Sequence, residues 1–369
     1  MSRPPHDHRG RRAAARGLVA AEGASHLLVT DPLNVRYLTG FTGSNGQCLL
    51  GPDAAADRLL TDPRYVERAA TEAPDLERVI DRDALGAVLP HVGRDAGSEG
   101  VLALEASHVT WRFAERTQER AGSAGVAVIG MDGPIERLRR VKDEAELARI
   151  AEACDITQRC LAWLFEETVA VGMTERRLAV LLERRFIDEG ADDVGFPSIV
   201  ASGPNSAIPH HEPGDREVAS GDLLTVDCGA SIDGYRADHT RTVAIGAVGE
   251  DLAHVHEVVC RAQSAAMAGV RVGATGGEVD AAARAVVGSA GFGQRFVHGT
   301  GHGIGLAVHE APPVGEGSAA ILAAGMVLTV EPGIYLPGIG GVRIEDTLVV
   351  TADAGGRALT DTPRALRIL

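Results

Sequence analysis

The sequence contains few cysteines, and those it has are scattered. Among 369 residues there are five, and no two are spaced as Cys-x-x-Cys. An odd and dispersed set of this kind supports neither a disulfide framework nor a zinc site made of thiolates. We therefore expect five buried free thiols, at Cys48, Cys154, Cys160, Cys228 and Cys260.

Basic residues and long apolar runs are also scarce. Lys and Arg number 36 against 51 Asp and Glu, which gives a formal net charge of −15. This excess of negative charge repels phosphate backbones and anionic lipids, so we expect no nucleic-acid partner and no membrane partner. No apolar run of the length that a signal peptide or membrane span requires follows the Arg-rich first residues. We therefore expect a cytoplasmic protein.

Several well-known catalytic motifs are missing. The sequence has neither the phosphate-binding pattern G-x-x-x-x-G-K-[ST] nor the nucleophile pattern G-x-S-x-G. The His-Glu pairs at positions 211 and 309 lack the second histidine of H-E-x-x-H. These absences argue against a nucleotide-binding protein, a serine hydrolase of that type and a zincin.

The length and the order of patterns predict two domains. Residues 9–134 alternate helical and strand-like pieces, which is typical of a small α/β domain, and we expect the segment 31–46 to consist of turns. A helical period then extends over residues 135–169 and predicts one long amphipathic helix at the domain boundary. In residues 135–369, blocks of strands separated by helices predict an α+β fold with a curved antiparallel sheet flanked by helices.

Four acidic residues follow apolar strand-like runs. Asp227 ends the run LLTV, and Asp238 lies beyond the turn dipeptide Asp233-Gly234, so a hairpin could bring the two carboxylates together. A single Asp near Gly more often caps a turn or faces solvent. Glu331 and Glu345, however, repeat the pattern after MVLTV and GGVRI. Buried carboxylates are costly without a cation, which favours a metal site over scattered surface acids.

Histidines that could serve as nitrogen ligands lie in the glycine-rich segment HGTGHGIGLAVHE. This segment contains His298, His302 and His309, and the pair His210-His211 follows another turn-rich segment. One histidine in a glycine-rich loop is more often structural or exposed than a ligand, but three in so short a span favour a site.

Charge balance favours two metal ions. Four carboxylates match the charge of two divalent cations, and a bridging hydroxide leaves the cluster only mildly anionic. Oxygen-rich ligation with one imidazole and no thiolate favours manganese, with cobalt, iron or zinc as alternatives. Such a pair of ions typically catalyses hydrolysis, because a bridging water becomes a nucleophile near neutral pH.

The segments VDCGASIDGYRADHTRT, HGTGHGIGLAVHE, EPGIY and VRIEDT, in this order, resemble the pita-bread metallopeptidases of the aminopeptidase P and prolidase branch. The segments NVRYLTGFTGSNG and SGPNSAIPHHEP extend the resemblance over nearly the whole chain. It implies an N-terminal creatinase-like α/β domain at 9–134 and a catalytic pita-bread domain at 135–369. It also implies a homodimer or homotetramer.

The resemblance implies a role for each candidate residue. Asp227 would bind one metal ion, Asp238 and Glu345 would bridge both, and His302 and Glu331 would complete the second site. His210, His298 and His309 would line the substrate site, and Glu331 would also transfer a proton to the leaving nitrogen. Arg343 and Tyr335 would contact the substrate or support the ligands from outside. The implied activity is hydrolysis of the Xaa-Pro bond at the N-terminus of peptides with proline in second position.

Three alternatives stay open at this level. The enzyme could be a prolidase, which takes dipeptides only, or an aminopeptidase P, which takes longer peptides. A creatinase-type enzyme that hydrolyses a non-peptide substrate belongs to the same fold family, as do binding proteins that have lost metal ligands. All five expected ligands are present in this sequence.

Overall fold

The computed structural model describes residues 3–95, 100–353 and 355–369, and their internal contacts separate two units. The N-terminal unit is Pro5–Arg139, and the C-terminal unit comprises Arg140–Leu369 together with Arg3 and Pro4. The sequence predicts a domain boundary between residues 134 and 135, whereas the units divide between residues 139 and 140. Each unit contains both helices and strands.

The N-terminal unit contains a mixed six-stranded sheet in the order β4-β3-β2-β1-β5-β6. The pairs β1–β2 and β2–β3 are antiparallel, and the other three are parallel. Strands β1, β2 and β3 form at the apolar runs SHLLVT, QCLL and RLLTD, whose composition predicts strands. The strands are β1 (His26–Val29), β2 (Gly46–Leu50), β3 (Arg58–Thr61), β4 (Glu77–Ile80), β5 (Val101–Glu105) and β6 (Ala127–Met131).

Six helices accompany this sheet, and one of them corrects the sequence prediction. Residues 31–46, expected to be turns, contain a helix whose first residue is Pro32. The Asp31 carboxylate accepts a hydrogen bond from the Leu33 N–H, and Gly40 ends the helix with φ 78°. The helices are α1 (His8–Ala21), α2 (Pro32–Thr39), α3 (Val66–Glu72), α4 (Ala84–Asp95), α5 (Trp111–Ser123) and α6 (Pro134–Arg139).

The prediction of one long helix over residues 135–169 is wrong, because this segment contains two separate helices. Helix α6 ends at Arg139, and the next helix begins at Glu144. Asp143 caps that helix in a capping box with Glu146, and the Lys142 N–H donates to the Gly325 carbonyl. In a capping box the N-cap residue is not helical, and Asp143 has an extended backbone. The apolar residues keep the helical spacing on both sides of this break, which is why the spacing alone predicts one helix.

The described part of the C-terminal unit contains four further α-helices. Thr174 caps one of them, as the sequence predicts, because its hydroxyl accepts a hydrogen bond from the Arg177 N–H. Thr275, which the sequence does not single out, caps another in the same way through the Glu278 N–H. The helices are α7 (Glu144–Trp163), α8 (Glu175–Asp188), α9 (Glu250–Gly269) and α10 (Gly276–Ser289). The helical patterns of residues 174–190, 250–270 and 277–291 predict the last three.

The strands of the C-terminal unit pair antiparallel wherever described strands pair with each other. They form four sheets, of which the largest has the order β14-β13-β15-β18-β19. The strands are β7 (Asp193–Val194), β8 (Ile199–Ser202), β9 (Leu223–Cys228), β10 (Ala230–Ile232), β11 (Tyr235–Arg236), β12 (His239–Ala244), β13 (Gly301–Gly303), β14 (Glu310–Val314), β15 (Val327–Val330), β16 (Gly333–Leu336), β17 (Gly340–Arg343), β18 (Asp346–Thr351) and β19 (Gly355–Ala358).

Helices α9 and α10 share a core with these strands. Val259 and Ala262 from α9 belong to one fully buried cluster with Val279, Leu328 and Leu348. Burying one such side chain contributes about 1.5–3 kcal/mol, so this cluster holds the strands that bear the acidic residues in fixed places.

Two sequence expectations concern cysteines and membranes. All five cysteines are free, and four are buried, whereas Cys260 is only half-buried. Cys260 lies on α9 near the C-terminal segment, and its thiol donates to the Arg364 carbonyl. Within the described part of the chain, every helix is too short or too polar to cross a membrane.

Candidate active site

A hairpin brings Asp227 and Asp238 together. Asp227 lies near the end of β9, and the turn Asp233-Gly234 joins β10 to β11 with φ values of 49° and 74°. Positive φ at both central residues is the requirement of the tight turn that Asp-Gly favours. The chain then returns as β12, which pairs with β9 so that His239 lies opposite Cys228. Asp238 immediately precedes β12, and both acids are buried.

The second pair of acids comes from β15 and β18. Glu331 follows the last residue of β15, and Glu345 lies between β17 and β18. Strands β15 and β18 pair with Val330 opposite Asp346, which places the two glutamates side by side. Glu345 is 1% exposed, so the protein buries this carboxylate almost completely.

His302 points into this group of acids. One ligand atom each of Asp238, His302 and Glu345 lies within 4.8 Å of the other two. The His302 Nε2 atom is 3.6 Å from Asp238 Oδ2 and 3.3 Å from Glu331 Oε1. Its Nδ1 lies 3.1 Å from the Gly303 carbonyl, to which only a protonated nitrogen can donate. This contact directs Nε2 toward the carboxylates, as in histidines that bind metal ions.

Glycines allow the backbone that holds His302 to approach its neighbours. A Cβ atom on Gly301 would lie 2.0 Å from the Thr329 carbonyl oxygen, and one on Gly303 would lie 2.3 Å from that of Ala311. The segment forms strand β13 between β14 and β15, whereas the sequence suggests only a glycine-rich loop. Close strand approach is therefore the physical reason for these two glycines.

The carboxylates have the properties of a cation site. Asp227 Oδ1 and Glu345 Oε1 are buried and have no hydrogen-bond partner among the described residues. Burial raises the pKa of Asp238 and Glu345 well above their ordinary values, and the neighbouring carboxylates raise both further. Unpaired buried oxygens and crowded negative charge both cost free energy, and divalent cations remove both costs. Four oxygen donors with one imidazole therefore fit the two divalent ions expected from the sequence.

Glu331 and His302 form an ion pair in this state. Burial alone would raise the pKa of Glu331, but the hydrogen bond and charge of His302 outweigh it and lower that pKa to about 2. Burial likewise opposes protonation of His302, yet the contacts with Glu331 raise its pKa. A cation that bound here would replace the proton on Nε2, because only a neutral imidazole binds a metal ion.

Arg343 connects the acids to the substrate side of the site. Its Nη2 donates to Asp227 Oδ2 at 2.6 Å, and its Nη1 donates to the Tyr335 hydroxyl at 2.9 Å. The Tyr335 hydroxyl is in turn 2.8 Å from His298 Nε2. His298 Nδ1 must donate to the Gly299 carbonyl, 2.7 Å away, so in the neutral ring Nε2 accepts from Tyr335. Burial lowers the pKa of His298, which favours that neutral ring.

His210 lies on a loop that is held from two sides. Arg343 Nη1 donates to the Pro209 carbonyl at 3.2 Å on one side of His210. On the other side, His211 Nε2 is 2.7 Å from a carboxylate oxygen of Glu175, which is completely buried. Glu175 also accepts from the N–H and the hydroxyl of Ser202. His210 itself is exposed at the cavity, so its neighbours and not its own contacts hold the loop.

A cavity of about 410 Å³ adjoins the acids. The cavity lies wholly within the C-terminal unit, and its lining includes eight of the candidate residues predicted from the sequence; these are His210, Asp227, Asp238, His298, His302, His309, Glu331 and Arg343. The other two candidates, Tyr335 and Glu345, are buried and do not belong to the lining. The His309 ring contacts the His302 ring edge-on, with centroids 4.4 Å apart. A cavity of this volume suits a small ligand.

Two threonines that the sequence does not single out support the acids and His302. The Thr240 hydroxyl donates to Glu345 Oε2 at 2.6 Å, and the Thr329 hydroxyl accepts from the His302 N–H at 3.1 Å. Thr329 lies two positions before Glu331, so the alternation of side chains along a strand predicts that both face the site. The apolar lining residues carry no such signal; these are Phe196, Ile199, Pro209 and Val308.

Comparison with known proteins decides the family. The model of metallopeptidase family M24 matches residues 148–352, and that of the creatinase/prolidase N-terminal domain matches residues 11–141. The chain belongs to metallopeptidase family M24. The resemblance drawn from the sequence motifs, the predicted pita-bread fold and the expectation of a metallopeptidase that uses divalent metal ions are thereby confirmed.

Relatives match the M24 chain over nearly its whole length. An Xaa-Pro dipeptidase of Pyrococcus horikoshii is 38% identical over 342 residues, which cover 92% of this chain and 93% of the relative. An uncharacterized peptidase of Bacillus subtilis, YqhT, is 37% identical and covers 96% of this chain and 98% of its own length.

Solved structures share the fold of this M24 peptidase. An Xaa-Pro dipeptidase from Bacillus anthracis superimposes with a TM-score of 0.90 at 34% identity, covering 98% of this chain and 100% of the other. An X-Pro aminopeptidase from Thermotoga maritima gives a TM-score of 0.88 at 35% identity, covering 97% and 99%. These two structures, one named as a dipeptidase and the other as an aminopeptidase, are about equally similar to this chain.

Proposed function

We propose that this M24 peptidase hydrolyses the Xaa-Pro bond at the N-terminus of peptides with proline in second position. The observation that supports this most is the convergence of four carboxylates and His302 beside a cavity, with two buried carboxylate oxygens that have no hydrogen-bond donor among the described residues. Relatives named Xaa-Pro dipeptidase and X-Pro aminopeptidase support the choice of peptide.

Five residues would hold two divalent ions. Asp227 would bind one ion, Asp238 and Glu345 would lie between both, and His302 and Glu331 would complete the second. Manganese suits these hard donors best, and cobalt, zinc or iron are the alternatives. When bound, such ions lower the pKa of a water molecule and polarise the attacked carbonyl.

The protein's own groups would bind the peptide and move protons. Burial lowers the pKa of His309, so its ring is neutral near pH 7 and offers one N–H to a substrate carbonyl. His210 would approach from the exposed loop, and Tyr335 with Arg343 would hold the ring of His298. Glu331 would take the proton that the attacking water loses and pass it to the leaving proline nitrogen.

Two alternatives from the sequence analysis carry less weight. A binding protein without catalysis would be expected to lose ligands, whereas all five acidic and histidine positions are retained and grouped. A creatinase-type hydrolase predicts activity that survives chelation. We further propose residues 135–369 as the catalytic domain and 9–134 as the accessory one, in a cytoplasmic homodimer or homotetramer that binds neither nucleic acid nor membranes.

The test is an assay of the purified protein with manganese. Substrates are an Xaa-Pro dipeptide, an Xaa-Pro-Yaa tripeptide and, as control, the same peptides with alanine in place of proline. We expect turnover of at least one proline peptide, its loss with EDTA and its recovery with added manganese. Asp238→Ala should abolish it by removing a shared ligand. Absence of turnover with both proline peptides refutes the proposal, and activity that survives chelation favours the creatinase-type alternative.

A further inference from the structure

Arg236 lines the same cavity and has no ionic partner among the described residues. It is the last residue of β11 and precedes Asp238 by two positions. No hydrogen bond or ion pair of its guanidinium is found within the part of the chain that the structure describes. The nearby arginines differ, because Arg343 binds Asp227 and Tyr335, and Arg241 binds Asp346 and two backbone carbonyls of the C-terminal segment. With respect to the described residues, Arg236 is thus an unpaired cation at the cavity.

The carboxylates nearest to Arg236 do not neutralise it. Asp193 and Glu310 act on it only at a distance, while partial burial lowers its pKa. Glu310 is already engaged, because its carboxylate contacts Lys142 Nζ at 3.3 Å and accepts from the Ala307 N–H at 2.8 Å. An arginine stays charged at all physiological pH values, and a partly desolvated charge is stabilised by an anionic ligand.

The backbone holds Arg236 in a fixed place. Its N–H donates to the Gly305 carbonyl at 3.0 Å, and its strand pairs with β10 through Ser231. The tight turn of this hairpin is anchored by Asp233, whose carboxylate is 2.6 Å from Arg149 Nε. The hairpin thus fixes the backbone position from which the guanidinium reaches the cavity.

We propose that Arg236 binds the C-terminal carboxylate of the substrate, and that the preferred substrates are therefore Xaa-Pro dipeptides. This inference rests on the proposed function. In a dipeptide, the carboxylate lies on the proline that follows the scissile bond, within the reach of one residue. In a longer peptide, a neutral amide takes its place, and a guanidinium forms much weaker hydrogen bonds with an amide than with a carboxylate. A cavity of about 410 Å³ suits a dipeptide.

The test compares an Xaa-Pro dipeptide with its C-terminal amide, which differ in charge and hardly in size. For the wild type with manganese we expect kcat/KM to be about 10- to 100-fold higher for the acid, as for other charge-assisted pairs. Arg236→Gln should remove most of this preference by raising KM for the acid, with little effect on the amide. Arg236→Lys should retain part of it, because it keeps the charge but loses the bidentate geometry.

The matched control is Arg271→Gln, which removes the same charge from an exposed position outside the cavity lining. It should leave the preference for the acid unchanged. Turnover of the amide by Arg236→Gln reports that the variant is folded and holds its metal. The proposal is overturned if the wild type cleaves acid and amide equally, or if Arg236→Gln lowers both rates alike. Absence of turnover of acid, amide and tripeptide by the wild type instead refutes the proposed function itself, and this inference with it.

Discussion

Replacing Glu345 by glutamine should stabilise the protein when it holds no metal and should remove its activity when metal is supplied. Glu345 Oε2 accepts a hydrogen bond from Thr240, whereas Oε1 is buried without a described partner. A glutamine of the same shape keeps the bond from Thr240 through its amide oxygen. Its NH₂ group then takes the place of Oε1 and brings a neutral donor, instead of a negative charge, close to Asp238.

The size of the effect follows from the spacing of the acids. Ligand atoms of Glu345 and Asp238 lie no more than 4.8 Å apart. Two unit charges at that distance repel each other by about 3 kcal/mol at an effective dielectric constant of about 20. Because the pKa values of both carboxyl groups are raised, protonation already relieves part of this repulsion in the wild type. The variant also loses the attraction between Glu345 and the nearby His302, which offsets a further part of the gain. We therefore expect a net stabilisation of about 1–3 kcal/mol for the metal-free protein.

The neighbouring Asp346 provides a matched control of opposite sign. It is equally buried, but Arg241, Thr360 and Gln263 all donate hydrogen bonds to its carboxylate. Asp346→Asn leaves Arg241 without its ionic partner, which should destabilise the protein by about 3 kcal/mol. The two substitutions make the same change of charge and shape at adjacent positions, so only the surroundings differ.

Thermal unfolding after dialysis against EDTA measures the prediction. The midpoint should rise for Glu345→Gln and fall for Asp346→Asn, by about 2–4 °C for each kcal/mol. Added manganese should raise the wild-type midpoint, since ligand at a hundred times its Kd stabilises by about 2.7 kcal/mol, and should raise that of Glu345→Gln much less. The reasoning fails if Glu345→Gln lowers the midpoint of the metal-free protein as Asp346→Asn does.

Three further predictions concern metal, loop and pH. Added manganese should restore the activity of EDTA-treated enzyme, and Asp238→Asn should require a higher manganese concentration for the same recovery. If elemental analysis finds unchanged metal content in that variant, Asp238 is not a ligand. His211→Ala should lower kcat/KM about 10-fold, because it releases the loop that carries His210 from Glu175. If His211 acts through His210, the double variant should be no slower than His210→Ala alone, whereas additive losses contradict this role. Burial lowers the pKa of His256 from 6.5 to about 4. Between these two pH values His256 is protonated in the unfolded chain but not in the folded protein. His256 alone should contribute about 2 kcal/mol to the stability lost in urea unfolding between pH 7 and pH 5, so the loss should be smaller by that amount in His256→Gln; an equal loss in both proteins contradicts this role.

The sequence predicts the ligand set because each acid follows a recognisable strand or turn pattern. Asp227 and Glu331 end buried apolar runs, and the Asp233-Gly234 turn predicts that Asp238 returns toward Asp227. The roles of these residues rest on resemblance and stay predictions. The sequence does not predict the break at Lys142, because that break depends on a contact with Gly325 far along the chain. Helix α2 was missed for a different reason: its signals, an Asp cap before Pro32 and a glycine after the last turn, lie in a segment rich in turn residues.

The function of each arginine in the site could not be predicted from sequence, since it depends on which neighbour takes each charge. Arg343 lies two positions before Glu345, which predicts that both side chains share a strand face. Its ionic contact in the structure is with Asp227 instead, and among the described residues Thr240 links it to Glu345.

This contact changes the charge balance of the site. Four carboxylates and one buried guanidinium leave three net negative charges where the sequence alone suggests four. Two divalent cations then exceed the charge of the residues by one, so a single anionic ligand makes the whole site neutral. Arg343 thus lets the site hold two cations and still attract an anion, whereas Arg236, which has no ionic partner among the described residues, is the arginine that we propose for the substrate carboxylate.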